Sequence, residues 1–173
     1  IVNIVYSKMK NLKKINSEVF YTKSSETSFI NKSYINFLKK KVLQTKSKRA
    51  RICLHKNEKD RLHEMIIILS KETYIRPHKH LNKAESLHVI DGAADVIFFN
   101  NKGKVTKKVR LSKKKNFFYR LSISKYHTFK IKTKNFIFHE TTEGPLIRNK
   151  TVYAKWSPEE NNLKKAKEYI NSL

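Results

Sequence analysis

Tyr74-Ile-Arg-Pro-His78-Lys-His80-Leu-Asn-Lys-Ala-Glu85-Ser-Leu-His-Val-Ile-Asp-Gly92 is the stretch on which the fold turns. Its skeleton is His-x-His, four residues, Glu, six residues, Gly. Residues i and i+2 of a strand point to the same face, so His78 and His80 reach toward one point. Leu81 to Ala84 read as a turn, which returns Glu85 beside the imidazoles on a second strand carried by Leu87, Val89 and Ile90. Asp91-Gly92 closes that strand with a turn signal. Two neutral imidazoles and a carboxylate on one face suit a divalent first-row transition metal, and the set does not choose among Fe, Mn, Ni, Co and Zn. By the same parity Tyr74 and Arg76 share the histidine face.

Strand patterns surround this stretch. Arg49 to His55 alternates Arg49, Arg51 and Cys53 against Ala50, Ile52 and Leu54. Leu62 to Leu69 is a β-branched run of the kind that fills a buried strand. Ala94–Phe99 and Lys104–Leu111 flank the turn Asn100-Asn-Lys-Gly103, and strands are expected over Phe117–Ile123, Tyr126–Ile131 and Asn135–Glu140. Strands at short intervals without helices between them predict a mainly β, closed or sandwiched antiparallel fold. Glu18 to Thr22 predicts a short strand ahead of the barrel. Two helices frame the strands. Tyr34 to Gln44 carries apolar residues at helical spacing, with Asn31 or Ser33 as cap. Glu159 to Leu173 carries a second, with Ser157 as N-cap, Pro158 at the first position and Glu160 three on. The organisation expected is an N-terminal extension over 1–47 packing a strand and helix on the barrel, a barrel over 48–158 and a C-terminal helix over 159–173. Met9-Lys-Asn-Leu-Lys-Lys reads like an ordinary start, which makes residues 1–8 an upstream extension.

The 173 residues suggest one domain with a modest core. No run approaches a membrane span, and the apolar start lacks the charge-then-apolar order of a secretory signal. One cysteine, Cys53, permits no internal disulfide and fits a reducing cytosol, so a cytoplasmic location is expected. The formal charge of +25 raises the question of nucleic acid. Only seven of the 39 basic residues are Arg, and phosphate recognition favours Arg forks. Lys, Asn and Ile are enriched together, as A/T-rich codons would give. No nucleic-acid-binding motif is present, so a nucleic-acid partner is not expected.

The His/Glu spacing is that of the first motif of the cupin superfamily. The wider context, Arg49-Ala-Arg-Ile-Cys-Leu-His55, His63-Glu-Met65, Tyr74 to His80, Gly144-Pro145 and Ala154-Lys-Trp-Ser-Pro158, resembles the WbuC-type cupin-fold metalloproteins found among bacterial surface-polysaccharide genes. The resemblance covers roughly residues 30 to 160. It implies a double-stranded β-helix, or jelly roll, with an N-terminal helix and a short C-terminal helix. It implies metal ligands His78, His80, Glu85 and, from the second motif, His127. Ser122, Ser124 and Glu72 stand at turn positions where the superfamily usually has Pro, Gly and Gly. The Arg49 strand becomes a pocket wall, so Arg49, Arg51 and Arg76 are substrate-binding candidates for an anionic small molecule or nucleotide-sugar. The alternatives are an Arg ladder on an edge strand, and Arg76 paired with an acid at the barrel mouth. Tyr74, His63 and Glu64 are catalytic candidates; His63-Glu64 and His139-Glu140 read either as acid–base pairs or as hydrogen-bonded structural histidines. His88 should face away from the metal, and of Tyr119 and Arg120 one should enter the pocket. The activity implied is that of an isomerase or epimerase on a sugar or nucleotide-sugar, with a non-catalytic binding or sensor protein and a metal-dependent dioxygenase as alternatives. A homodimer is implied by the resemblance alone.

Overall fold

The computed structural model describes residues 9–23 and 26–173. Residues 1–8, expected above to be an upstream extension, lie outside them. In chain order the elements are β1 (Leu12–Lys14), β2 (Val19–Thr22), α1 (Lys32–Gln44), β3 (Arg49–Cys53), β4 (Leu62–Ser70), β5 (His78–His80) and β6 (Glu85–Asp91). There follow β7 (Ala93–Phe99), β8 (Val105–Ser112), β9 (Phe118–Leu121), β10 (Tyr126–Ile131), β11 (Asn135–Glu143), β12 (Thr151–Tyr153) and α2 (Leu163–Ser172).

Two sheets result. One runs β1-β2-β3-β4-β11-β6-β9 and the other β12-β5-β10-β7-β8. All pairings are antiparallel except β2 with β3. From β4 onward the chain passes repeatedly from one sheet to the other, which is the jelly-roll arrangement of the cupin fold. The strand pair around Leu81–Ala84 is therefore not a hairpin. β5 and β6 belong to different sheets, and Glu85 approaches the histidines across the interior rather than along a ladder.

The apolar run in β4 is unbroken because both of its faces are covered. Met65, Ile67 and Leu69 join the core between the sheets with Leu87, Val89, Phe129, Phe136 and Phe138. Ile66 and Ile68 point the other way and meet α1 through Leu38 and Val42, together with Phe20, Ala50 and Ile52. The Asn31 side chain accepts a hydrogen bond from the Ser33 amide at 2.9 Å and caps α1. β3 lies inside the sheet between β2 and β4, so its arginines do not form an edge ladder.

The second helix starts later than the sequence suggested. Its N-cap is Asn162, whose side chain accepts from the Lys165 amide at 3.2 Å. The Ser157 hydroxyl instead donates to the Ala154 carbonyl at 3.0 Å. Glu159 and Glu160 are held outside the helix by ion pairs to Arg76 and Arg49. Trp156 packs on Phe99 and Tyr126 on the outer side of the second sheet, and its indole N–H donates to the Asn101 carbonyl.

Candidate metal centre

The short strand β5 alternates His78 and His80 inward around Lys79. β10 is its neighbour, in a register that sets His127 directly opposite His78. Donor atoms of the three imidazoles lie within 4.8 Å of one another. Each ring is oriented from behind. His78 Nδ1–H donates to the Arg76 carbonyl at 2.9 Å and His127 Nδ1–H to the Lys125 carbonyl at 3.0 Å. His80 Nδ1 meets the Thr151 hydroxyl at 3.1 Å. Nδ1 donation leaves the lone pair of the neutral ring on Nε2, the arrangement that outer hydrogen bonds give to metal-ligating histidines. Burial and the two neighbouring imidazoles push His78 down to about 3, so it is neutral and competent as a ligand. These three histidines fit a divalent transition metal.

Glu85 closes the cluster from β6. Its carboxylate stands 3.0 Å from His127 Nε2 and 3.4 Å from His80 Nε2, and the Tyr119 hydroxyl donates to it at 3.1 Å. Burial opposes its charge, but the His127 imidazole holds its ionisation well below the usual carboxylate range. The reciprocal effect raises His127 against its own burial. Parity along β6 turns His88 outward, onto the rings of Phe117 and Phe118. Tyr119 faces in and Arg120 is exposed.

The cluster sits in a cavity of about 490 Å³ between the sheets. The other candidates divide around it. Arg49 and Arg51 both line the cavity. Arg49 is engaged by Glu18 at 3.4 Å and Glu160 at 3.0 Å. Tyr74 and Arg76 are not among the lining residues. Tyr74–Pro77 precedes the ladder and carries no strand parity. The Tyr74 hydroxyl donates to the Pro158 carbonyl, and Arg76 donates to the Ala154 carbonyl and pairs with Glu159. The arginine trio is thus dispersed: of Arg49, Arg51 and Arg76, only Arg51 is both in the cavity and without a carboxylate partner.

The two His-Glu dipeptides do not act as pairs, because adjacent residues of a strand face opposite ways. Glu64 and His139 meet each other at 3.6 Å on the outer face. His63 faces inward and stacks on His55 at 4.1 Å, while Glu140 lines the cavity. Lys83 is a cavity residue that sequence reasoning missed, and Glu140, considered there only together with His139, lines the cavity without it. The signal for Glu140 was the alternate row Phe136, Phe138, Glu140 of β11, an inward apolar row ending in a carboxyl.

Burial, with the charge of Glu85 next, pushes Glu140 up to about 7; Arg51, Lys83 and His127 pull it back only in part. The sign follows from linkage. The folded chain holds this proton more tightly than the unfolded chain, whose carboxyl titrates near 4.5. Stability from this group is complete below that value and is lost as pH rises through about 7. In metal-free protein, Glu140→Gln will leave the urea midpoint nearly unchanged at about pH 5 and raise it at about pH 8. A midpoint difference independent of pH would contradict this placement of Glu140.

Comparison with solved structures bears on the fold. Residues 30–111 match a family model described as a domain of unknown function, DUF6016. No curated protein matches the chain by sequence. Among solved structures, the capsular polysaccharide assembling protein CapF from Staphylococcus aureus is similar over 60% of this chain, at 15% identity and a TM-score of 0.51. The DMSP lyase DddQ from Ruegeria pomeroyi is similar over 64%, at 16% identity and a TM-score of 0.50. A cupin-superfamily protein from Desulfitobacterium hafniense aligns over 55%, at 14% identity and a TM-score of 0.44. The matched parts are 28%, 54% and 76% of those chains, so this chain spans less than a third of CapF and about half of DddQ. At these identities the likeness shows the fold alone. Among the described residues no helix is long and apolar enough to cross a membrane.

Proposed function

We propose that the chain is a metal-binding cupin of the WbuC type that acts on a sugar or nucleotide-sugar in bacterial surface-polysaccharide synthesis, as an isomerase or epimerase. The observation that carries the reading is the convergence of His78, His80 and His127 inside a cavity large enough for a small molecule. With a metal bound, Glu85 would supply the fourth ligand and leave room for water or substrate. A bound divalent ion would supply Lewis-acid polarisation of a substrate oxygen. The chain's own part is to fix the tautomer and orientation of His78 and His127 through the Arg76 and Lys125 carbonyls and to shield the site with the apolar walls around Phe129 and Phe138. The polysaccharide setting rests on the resemblance of Arg49–His55, His63–Met65 and Tyr74–His80 to the WbuC-type proteins. The expected assembly is a homodimer in the cytoplasm.

Metal-reconstituted protein mixed with nucleotide-linked hexoses should show ligand binding by saturation-transfer NMR and a new sugar signal over hours. Binding without turnover would favour the sensor reading. Oxygen uptake by an iron-loaded sample would favour a dioxygenase, and neither binding nor turnover would remove the sugar reading.

A further inference from the structure

The cavity that holds the three histidines also holds charges that no described residue pairs. Arg51 and Lys83 both line it, and among the described residues neither has a carboxylate within ion-pair distance. The Arg51 guanidinium makes only a 4.0 Å contact with the Met65 sulfur. Among the described residues Lys83 donates no side-chain hydrogen bond, and Glu140, which faces the same space from β11, receives none on its carboxyl. Both cations act electrostatically on Glu140, so the three groups surround one region while standing too far apart to bond. Half-buried polar groups left apart at a cost in solvation are groups awaiting partners. Two cations against one carboxyl leave the region net positive. The Glu140 carboxyl can accept a hydrogen bond from a ligand hydroxyl.

We propose that Arg51, Lys83 and Glu140 form a recognition subsite for a small hydroxy acid, with the ligand carboxylate between Arg51 and Lys83 and a hydroxyl on Glu140. Arg51 supplies a planar fork suited to a carboxylate, and Lys83 a mobile point charge from the loop that precedes β6. Glu140 then selects ligands with a hydroxyl near the acid group. The inference rests on the reading of this cavity as a small-molecule site and narrows the substrate class from sugars in general to acidic sugars and similar hydroxy acids.

The test is calorimetric titration of the full metal-loaded chain with four probes: D-gluconate, hexanoate, D-glucose and glucose 1-phosphate. Gluconate should bind more tightly than hexanoate, which lacks the hydroxyls, and than glucose, which lacks the charge. Arg51→Gln and Lys83→Gln should each weaken gluconate by about 10- to 100-fold, the range for losing a charge-assisted hydrogen bond. Glu140→Ala should bring gluconate down to the affinity of hexanoate. Equal binding of glucose and gluconate, tighter binding of glucose 1-phosphate than of gluconate, or unchanged affinity in both cation variants would overturn the subsite. Lys83→Gln carries the test should Arg51→Gln fail to fold, since Lys83 lies in a loop outside the core. Metal content is measured on every sample. Loss of metal in the wild type would count against the metal centre, whereas intact metal with no selectivity for gluconate would count against this subsite alone.

Discussion

Alanine in place of His127 will leave a protein that no longer retains a divalent transition metal through dialysis, where the wild type keeps about one ion per chain. Removing an outer hydrogen-bond partner of a metal ligand already costs about 10- to 100-fold in affinity, so removing the ligand itself should cost on the order of 100-fold or more. His127 is 1% exposed and stands in register with His78, so water has little room to substitute for the missing ring. His78→Ala should lose metal to a similar extent. The His78 ring is neutral, so its loss should track the donor atom rather than a charge. His88→Ala is the control, since that ring is exposed and lies on the outer face of β6 among Phe117 and Phe118. Elemental analysis and competitive titration against a chromophoric chelator read the effect, with far-UV circular dichroism to show that the fold survives. Wild-type retention by both His127→Ala and His78→Ala would mean that the convergence of the three rings is structural.

Why the histidines were legible and other parts of the site were not is a matter of range. His78 and His80 are two residues apart, and strand parity alone puts them on one face. Glu85 was reached through a hairpin that does not exist. It arrives beside the imidazoles because β5 ends and β6 begins at the same end of the barrel, joined by the short turn between them, which a local reading cannot distinguish from a ladder. Tyr74 and Arg76 failed for a related reason. Parity was extended into Tyr74–Pro77, where the chain is extended but unpaired and where Ala154, Pro158 and Glu159 compete for the side chains. Those partners lie some 80 residues away in sequence, and no spacing announces them. In the sequence Lys83 is a turn residue and nothing more, because only the closed barrel shows that it leans into a cavity. The C-terminal helix illustrates the same competition. Ser157, Pro158 and Glu160 make a well-formed start signal, but Glu160 gains more from Arg49 than from a helix N-terminus. By contrast β10 was expected over the residues it occupies, because Tyr126–Ile131 is bounded by loop residues and its pattern answers to its immediate neighbours alone.

Leu38→Ala should be the most damaging single change outside the metal centre. α1 reaches the barrel through Leu38 and Val42, both wholly buried, set against Ile66 and Ile68 on the outer face of β4. Truncating such a leucine removes its apolar burial and leaves a cavity, at a cost of about 2–5 kcal/mol. Against the roughly 5–15 kcal/mol that holds a typical domain together, that is a large fraction. The strand beneath has no slack to collapse into the gap, because its other face is already filled by Met65, Ile67 and Leu69 packing between the sheets. The loss should appear as a lower urea midpoint with an unchanged slope, since the same surface unfolds. Leu43→Ala on the same helix is the internal comparison. That side chain is 59% exposed, so its removal should shift stability by about 0.5 kcal/mol or less. Metal affinity should be unchanged in the folded fraction of both variants, because α1 lies on the far side of the sheet from the histidines. Equal midpoints for Leu38→Ala and Leu43→Ala would show that α1 does not clamp the sheet. A loss of metal affinity in folded Leu38→Ala would show that the outer core sets the positions of the inner ligands.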